Sequence, residues 1–273
     1  MEIVNKLFNL DGKVIIVAGG AGQIGFAFSE ILADAGAEVI IADIDVEMAG
    51  QKVSSLTRQE LKNKLHIYKL DVSQPEEVKS LYKQVREKHG KIYGLINSFH
   101  FKGNTRKLDT TSNFFAGFEE YPLEAWDAVH DINLKGSFLM SQVGISYFKE
   151  NGGGVIVNIS STYGNVSPNK SIYGDSGINS PVAYATSKAA LINLTRYMAT
   201  HLAEHNIRVN VLSPGGVFNN QAEDFLKAYT NLTPLKRMAK AEDYQGAIVF
   251  LMSEASSYMT GSNLLVDGGW TAW

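Results

Sequence analysis

Residues 17–25 read VAGGAGQIG, and the run admits three phosphate-loop frames. Gly20, Gly22 and Gly25 satisfy G-x-G-x-x-G; Gly19, Gly22 and Gly25 satisfy G-x-x-G-x-x-G; Gly19 and Gly25 fit G-x-x-x-G-x-G with Gln23 in place of its middle glycine. Glycines let a backbone approach a pyrophosphate closely, and amides at the start of the following helix, where partial positive charge collects, bind its oxygens. The frames alone are weak signals. Their position is stronger, because the run follows the apolar KVIIVA (13–18) and precedes an amphipathic segment near 23–35. That is the strand, loop and helix order of a dinucleotide site.

Outward from this loop, short β-branched runs recur: EVIIAD (38–43), HIYKLD (66–71), IYGLIN (92–97), GVIVNIS (154–160), RVNVLS (208–213) and NLLVD (263–267). Amphipathic segments near 46–63, 75–89, 122–149, 182–204 and 241–253 alternate with them. Continuous apolar strands need cover on both faces, so the pattern predicts a doubly wound α/β fold: a seven-stranded parallel sheet between helix layers, Rossmann-like. No linker, repeat or low-complexity run divides residues 1–273, which read as a single domain.

Composition narrows the function. The chain has 273 residues, 45% of them hydrophobic, enough for a large core. Its 25 basic and 28 acidic residues give a net charge of −3, with no basic field for nucleic acid and no polybasic membrane patch. Cysteine is absent, which excludes disulfides, thiolate catalysis and cysteine-ligated metal sites. The start, MEIVNKLFNLDGKV, lacks a signal-like apolar region, and no apolar run reaches the ~18 residues of a membrane span. A cytoplasmic protein with a small-molecule substrate is expected. His201 and His205, one helical turn apart, lack an evident third ligand, so no metal site is expected. His100 and His130 read as satisfied loop residues.

Two further signals concern chemistry. Asp43 ends the second strand about 20 residues beyond the glycine run, where a carboxylate accepts hydrogen bonds from adenosine ribose hydroxyls. It would repel a 2′-phosphate, and no Lys or Arg lies within the glycine run, so NAD is expected over NADP. Asp71, ending the third strand, is a candidate for the adenine pocket. Residues 184–188 read YATSK, placing Tyr184 and Lys188 on one helical face. Bringing a tyrosine from pKa ~10 to about 7 takes ~4 kcal/mol. A unit charge at ~4 Å supplies that only at an effective dielectric near ~20, so the pair must occupy a partly closed cleft.

ISSTYG (159–164), DINLKG (131–136) and LSPGG (212–216) lie at or beside the carboxyl ends of predicted strands, the edge where open α/β sheets bind ligands. With the Tyr-x-x-x-Lys pair and the glycine loop, these segments make the chain from about 11 to 273 resemble the short-chain dehydrogenase/reductase family. The resemblance implies that Tyr184 exchanges the proton with the substrate oxygen and that Lys188 lowers the tyrosine pKa and binds the nicotinamide ribose. It implies that Ser161 hydrogen-bonds the carbonyl or hydroxyl, that Asn133 holds a relay water, and that Pro214 and Gly215 line the nicotinamide. Further NAD contacts are implied for Gly19, Gly22, Gln23, Ile24, Gly25, Val72, Asn97 and Val217. The Gly19, Gly22, Gly25 spacing looks like the extended branch of epimerases and dehydratases, whereas the ending SSYMTGSNLLVDGGW resembles the compact, single-domain branch, where the chain is placed. It departs from the compact pattern at Ala18, at Gln23 and at NSFH (97–100), which stands for Asn-Asn-Ala-Gly.

The function implied is NAD-dependent interconversion of a secondary alcohol and a ketone. The alternatives are an epimerase or dehydratase using NAD transiently, and a non-catalytic NAD sensor. Loops at about 98–121 and 162–183 look inserted near the active site; Ser161 and Tyr184 stand 23 positions apart. Their aromatic residues and Lys102, Arg106, Lys107 and Lys170 favour a bulky polar or anionic sugar over a lipid. A less specific resemblance, through VDGGWTAW and SPGGVFNNQ, points to bacterial surface-polysaccharide and flagellin-glycan pathways. The family also implies a homodimer or homotetramer built on the segments near 134–149 and 182–204 and on the C-terminal strand.

Overall fold

The side chains of VIIVA point alternately to opposite faces, and that alternation builds the two halves of the core. In the computed structural model, which describes residues 2–101, 103, 114–174 and 179–273, β1 (Val14–Ala18) is buried throughout. Ile15 and Val17 point into one layer with Phe28, Leu32, Tyr244 and Ile248. Val14, Ile16 and Ala18 point into the other with Met140, Phe148 and Met198. Successive side chains of a strand face opposite ways, so an all-apolar strand demands helices on both sides.

A short helix, α1 (Glu2–Phe8), precedes β1 and buries none of its side chains. After β1 come α2 (Gln23–Asp34), β2 (Glu38–Asp43), α3 (Val46–Ser55), α4 (Gln59–Lys62), β3 (Leu65–Lys69), α5 (Pro75–His89) and β4 (Ile92–Asn97). The second half contains α6 (Leu123–His130), α7 (Ser137–Glu150), β5 (Gly154–Ile159), α8 (Val182–Leu202), β6 (Ile207–Pro214), α9 (Glu223–Leu232), α10 (Gln245–Met252) and β7 (Asn263–Val266). The seven strands are parallel in the order β3-β2-β1-β4-β5-β6-β7. Strand order reverses between β1 and β4, which makes their carboxyl ends the switch-point crevice of a doubly wound sheet.

Local signals explain most boundaries. α5 starts with Pro75, carries Glu76 and Glu77 in its first turn and Arg86, Lys88 and His89 in its last, and stops at Gly90 with φ +91°. Asp45 caps α3 by accepting from Met48 N at 2.9 Å.

The structure departs from the sequence expectation in four places. The predicted helix 46–63 breaks at Leu56, whose ψ of 143° is extended. The predicted helix 122–149 is interrupted by a π-helical turn over Asp131–Gly136, an insertion that hydrophobic periodicity does not reveal. The third strand stops at Lys69, two residues before Asp71. α9, absent from the expectation, buries only Tyr229 of its ten residues, too narrow an apolar stripe for a reading that sought long periodic segments.

Candidate active site

The glycine loop folds back on itself so closely that side chains are excluded. A Cβ at Gly25 would overlap the Gly19 carbonyl oxygen, and one at Gly20 would stand 2.9 Å from the Val17 carbonyl. Gly19 adopts φ +80°, and a Cβ there would stand 2.7 Å from Phe99 N. Gly22 is the N-cap of α2, with no side-chain cap, so the first turn keeps unsatisfied amides of the kind that bind phosphate. The loop therefore fits a dinucleotide pyrophosphate. Gln23, the departure from the compact pattern, reaches across to donate from Nε2 to Phe218 O at 2.9 Å. Ile24 packs against the buried layer beneath the loop.

Asp43 closes one end of the loop. Its Oδ2 accepts Ala21 N at 2.9 Å and its Oδ1 accepts Asp45 N at 3.0 Å, which ties the β2 terminus to the glycine loop. The loop acquires a cation as well: Lys52 Nζ, from α3, donates to Ala21 O at 2.9 Å and Gly22 O at 3.3 Å. The glycine run itself contains no Lys or Arg, but α3 brings one to it. The available signal was helical spacing, since Lys52 and Val53 flank the inward stripe begun by buried Ala49.

Asp71 turns into its own loop, accepting Ser73 N at 2.9 Å and Ser73 Oγ at 2.6 Å. Val72 is buried, and a Cβ at Gly136 would stand 2.9 Å from it. Asn97 is buried and donates to Asn158 Oδ1 at 2.8 Å, while its own Oδ1 has no hydrogen-bond partner. At the end of β6, Pro214 O accepts Thr162 Oγ1 at 3.0 Å and Gly215 O accepts Tyr244 Oη at 3.0 Å. Val217 bridges Ala239.

Ser161, Tyr184, Lys188 and Asn133 converge at the same edge. Ser161 follows β5, caps the turn Thr162–Gly164 by accepting Tyr163 N at 3.1 Å, and hydrogen-bonds the Tyr184 hydroxyl. Lys188 is buried one turn along α8; its Nζ donates to Ile159 O at 2.8 Å and lies 5.7 Å from the Tyr184 ring centroid. Gly164 lets this turn press on α8, because a Cβ there would stand 2.9 Å from the Lys188 backbone. Burial raises the Tyr184 pKa above the ordinary phenol value, with the Ser161 hydrogen bond acting the other way. Burial pushes the Lys188 ammonium down to about 7. In the protein alone, burial thus outweighs the Ser161 hydrogen bond at the phenol, and a phenol poised near neutrality needs a positive charge beside it.

Asn133 lies in the π-helical turn, 1% exposed. Its Oδ1 accepts Phe101 N at 2.8 Å and its Nδ2 donates to Ser187 Oγ at 2.9 Å, so its side chain joins the segment after β4 to α8. Its backbone carbonyl accepts Ser137 Oγ at 2.8 Å. π turns of this kind gather at functional sites. His100, taken from sequence as a satisfied loop residue, stands edge-on to Tyr184 with ring centroids 6.1 Å apart.

Beyond Ser161 the walls are aromatic. Tyr173, Phe225, Tyr229 and Trp270 form a continuous set of ring contacts, with centroids 5.5, 5.9 and 4.4 Å apart. Tyr163 hydrogen-bonds Tyr173, and burial raises its pKa. Tyr163, Tyr173 and Lys170 also line a 460 Å³ cavity over the start of α8 that excludes Ser161, Tyr184 and Lys188. Lys102, Arg106 and Lys107 lie outside the described residues.

The chain is similar to known proteins along nearly its whole length. The family described as Enoyl-(Acyl carrier protein) reductase matches residues 19–271. Post-translational flagellin modification protein A of Campylobacter coli is 33% identical over 96% of this chain and 99% of its own. D-arabinitol 2-dehydrogenase (ribulose-forming) of Candida tropicalis is 32% identical over 97% of this chain and 95% of its own. Among solved structures, a short chain dehydrogenase from Leptospira borgpetersenii with bound NAD+ is 34% identical, with a TM-score of 0.82, covering 98% of this chain and 95% of that one.

Proposed function

The chain belongs to the short-chain dehydrogenase/reductase family and is an oxidoreductase of its CH–OH chemistry; from that premise we propose that it interconverts a secondary alcohol and a ketone with NAD, on a sugar, polyol or other polar substrate. The observation that carries the reading is the meeting of Ser161, Tyr184 and Lys188 at the strand edge that also holds the glycine loop and Asp43. Bound NAD supplies the hydride acceptor. Tyr184 takes the hydroxyl proton, and Ser161 fixes the substrate oxygen within reach of it. Lys188, anchored on Ile159 O, is placed to hold the nicotinamide ribose and to stabilise the phenolate. Asn133, in the π-helical turn, would hold a relay water. Gly19, Gly22, Gln23, Ile24, Gly25, Val72, Asn97, Pro214, Gly215 and Val217 would line the dinucleotide, with Asp43 on the adenosine ribose. Asp71, whose carboxylate is engaged by Ser73, would contribute through its loop rather than that group.

A polar substrate is supported by the tyrosine hydroxyls and Lys170 beside the aromatic wall, and by the polyol named for the Candida relative. The flagellin-modification relative supports a glycan-related sugar. We place the protein in the cytoplasm; no helix among the described residues is long and apolar enough to cross a membrane. The test is NADH formation from NAD over a panel of polyols, sugars and nucleotide-sugars, with an acetoacetyl thioester and NADH as the contrasting pair. Turnover of polar alcohols supports the reading. Turnover of the thioester alone would move the protein to acyl-chain reduction, and product formation without net NADH would move it to transient NAD use.

A further inference from the structure

The segment that follows β4 presents one side chain and buries its neighbours. Phe99 packs into the layer of Ala18, Val72 and Met140, where a Cβ at Gly136 would stand 3.1 Å from its ring. Phe101 is 3% exposed and meets the Phe114 ring with centroids 5.7 Å apart. The backbone is held on both sides as well: Ser98 N donates to Ala18 O at 2.8 Å, and Phe101 N donates to Asn133 Oδ1 at 2.8 Å. Between these anchors His100 is exposed, and its ring stands edge-on to Tyr184, 6.1 Å between centroids with an interplanar angle of 78°. Tyr184 hydrogen-bonds Ser161 through its hydroxyl. An imidazole on a backbone fixed at both sides therefore stands beside the proton carrier, where little ordering is left to be done when a ligand arrives.

We infer that His100 is a specificity-determining residue that hydrogen-bonds a hydroxyl on the carbon next to the reacting carbinol, so that the substrate is a polyhydroxy alcohol oxidised at one member of a vicinal pair. This rests on the alcohol-oxidising reading of Ser161, Tyr184 and Lys188 and deepens it. The two rings are in contact, so a substrate oxygen bound at the Tyr184 hydroxyl brings the substituent on the adjoining carbon within reach of His100. Imidazole has two nitrogens, and a partner at one sets whether the other donates or accepts. A hydroxyl matches either role, whereas a carbonyl or carboxylate only accepts. A second hydroxyl is thus the ligand that suits the ring in either tautomer. In the reaction the hydride leaves the carbinol carbon for NAD, the hydroxyl proton goes to Tyr184, and the product is an α-hydroxy ketone. His100 orients the neighbouring hydroxyl and takes no proton.

The experiment compares kcat/KM for 2,3-butanediol, xylitol and 2-butanol at saturating NAD. Wild type, His100→Phe and His100→Gln are used, each checked for an intact thermal transition and for NAD binding by calorimetry. Wild type should favour the two polyhydroxy alcohols over 2-butanol by about tenfold, the worth of one added hydrogen bond, a readout that requires no variant to fold. His100→Phe keeps a ring against Tyr184 and lacks the nitrogens, so the preference should collapse toward unity, mainly through KM. His100→Gln keeps a donor and an acceptor and should retain much of the preference. Equal use of diol and simple alcohol by wild type, or a preference that survives in His100→Phe, would assign His100 to ring packing and overturn the inference while leaving alcohol oxidation intact. Wild type inactive on both polyhydroxy alcohols yet active on a simple alcohol would do the same. Wild type inactive on these and on the wider panel of polyols and sugars would overturn the alcohol reading as well.

Discussion

Lys188 is tied at both ends of its residue to the β5 terminus: Nζ donates to Ile159 O at 2.8 Å, and its own carbonyl accepts Ser160 Oγ at 2.7 Å. The catalytic face of α8 is thereby fixed to the strand that presents Ser161. The lysine's direct partner is a neutral carbonyl, so its charge remains available to a bound ribose and phenolate.

Tyr184→Phe should abolish turnover, by about a thousandfold or more, while the Kd for NAD changes little. The ring stays and only the proton carrier is lost. Turnover assays beside calorimetric titration check this, and near-normal turnover would remove Tyr184 from its assigned role.

Lys188 should leave a pH signature on stability. Its folded pKa is about 7 against an ordinary value of 10.5. Between those values the unfolded chain binds the proton that the folded chain has released, so stability rises with pH across that window. Relative to Lys188→Met, which cannot titrate, wild type should gain at most ~1.4 kcal/mol per pH unit from about pH 7 upward. Urea unfolding of both proteins at a series of pH values measures the difference; parallel curves would contradict the burial argument.

Asn133→Ala should orphan Phe101 N, now held at 2.8 Å, and remove the donor that Ser187 Oγ accepts at 2.9 Å, while Ser187 keeps its own bond to Tyr184 O. Each lost partner costs roughly 1–3 kcal/mol when buried, a fall in Tm on the order of 5–10 °C for a chain of this size. Because the segment it anchors also carries His100 beside Tyr184, kcat should fall more than dinucleotide affinity. A variant with wild-type Tm and kcat would show that the anchor is dispensable.

Lys170→Ala should raise KM for an anionic sugar several-fold, more at low salt than at high, with kcat little changed, since such binding is uniform between ground and transition states. Kinetics on charged and uncharged sugars at two ionic strengths decide it. Equal effects on both sugars would assign Lys170 to packing of its loop.

Self-association is expected through α7 and α8. Phe138 and Tyr197 are 45% and 67% exposed there, and Leu134, Phe138 and Leu194 line a surface cavity. Apolar exposure of this kind on adjoining helices calls for a partner. Light scattering at micromolar concentration should give a dimer or tetramer, and Phe138→Glu should shift it toward monomer. A monomeric wild type would contradict the assignment.

The sheet was legible because every strand is a short apolar run, and the site was legible because Tyr184 and Lys188 share a helix and the glycines follow β1 directly. What stayed hidden depends on contacts between distant segments. Lys52 reaches the glycine loop from 31 positions away, and Gln23 reaches Phe218 across 195. The π turn at Asn133 is one extra residue in an amphipathic pattern, which leaves the apolar spacing on either side intact. His100 looked unremarkable because nothing local to it reveals the edge-on approach to Tyr184.

The reversal of strand order between β1 and β4 divides the labour of the chain. Asp43, Lys52 and the glycine loop come from the β1–β3 side; Asn133, Ser161, Tyr184, Lys188 and the aromatic wall come from the β4–β7 side. The described hydrogen bonds that cross this seam at the groove include Gln23 to Phe218, a side chain meeting only a backbone oxygen. Such a bond requires the Gln23 amide but leaves the side chain at position 218 free to vary. The alcohol-reading half can therefore diverge in sequence without disturbing the half that reads the dinucleotide, so one cofactor apparatus serves many substrates over evolutionary time.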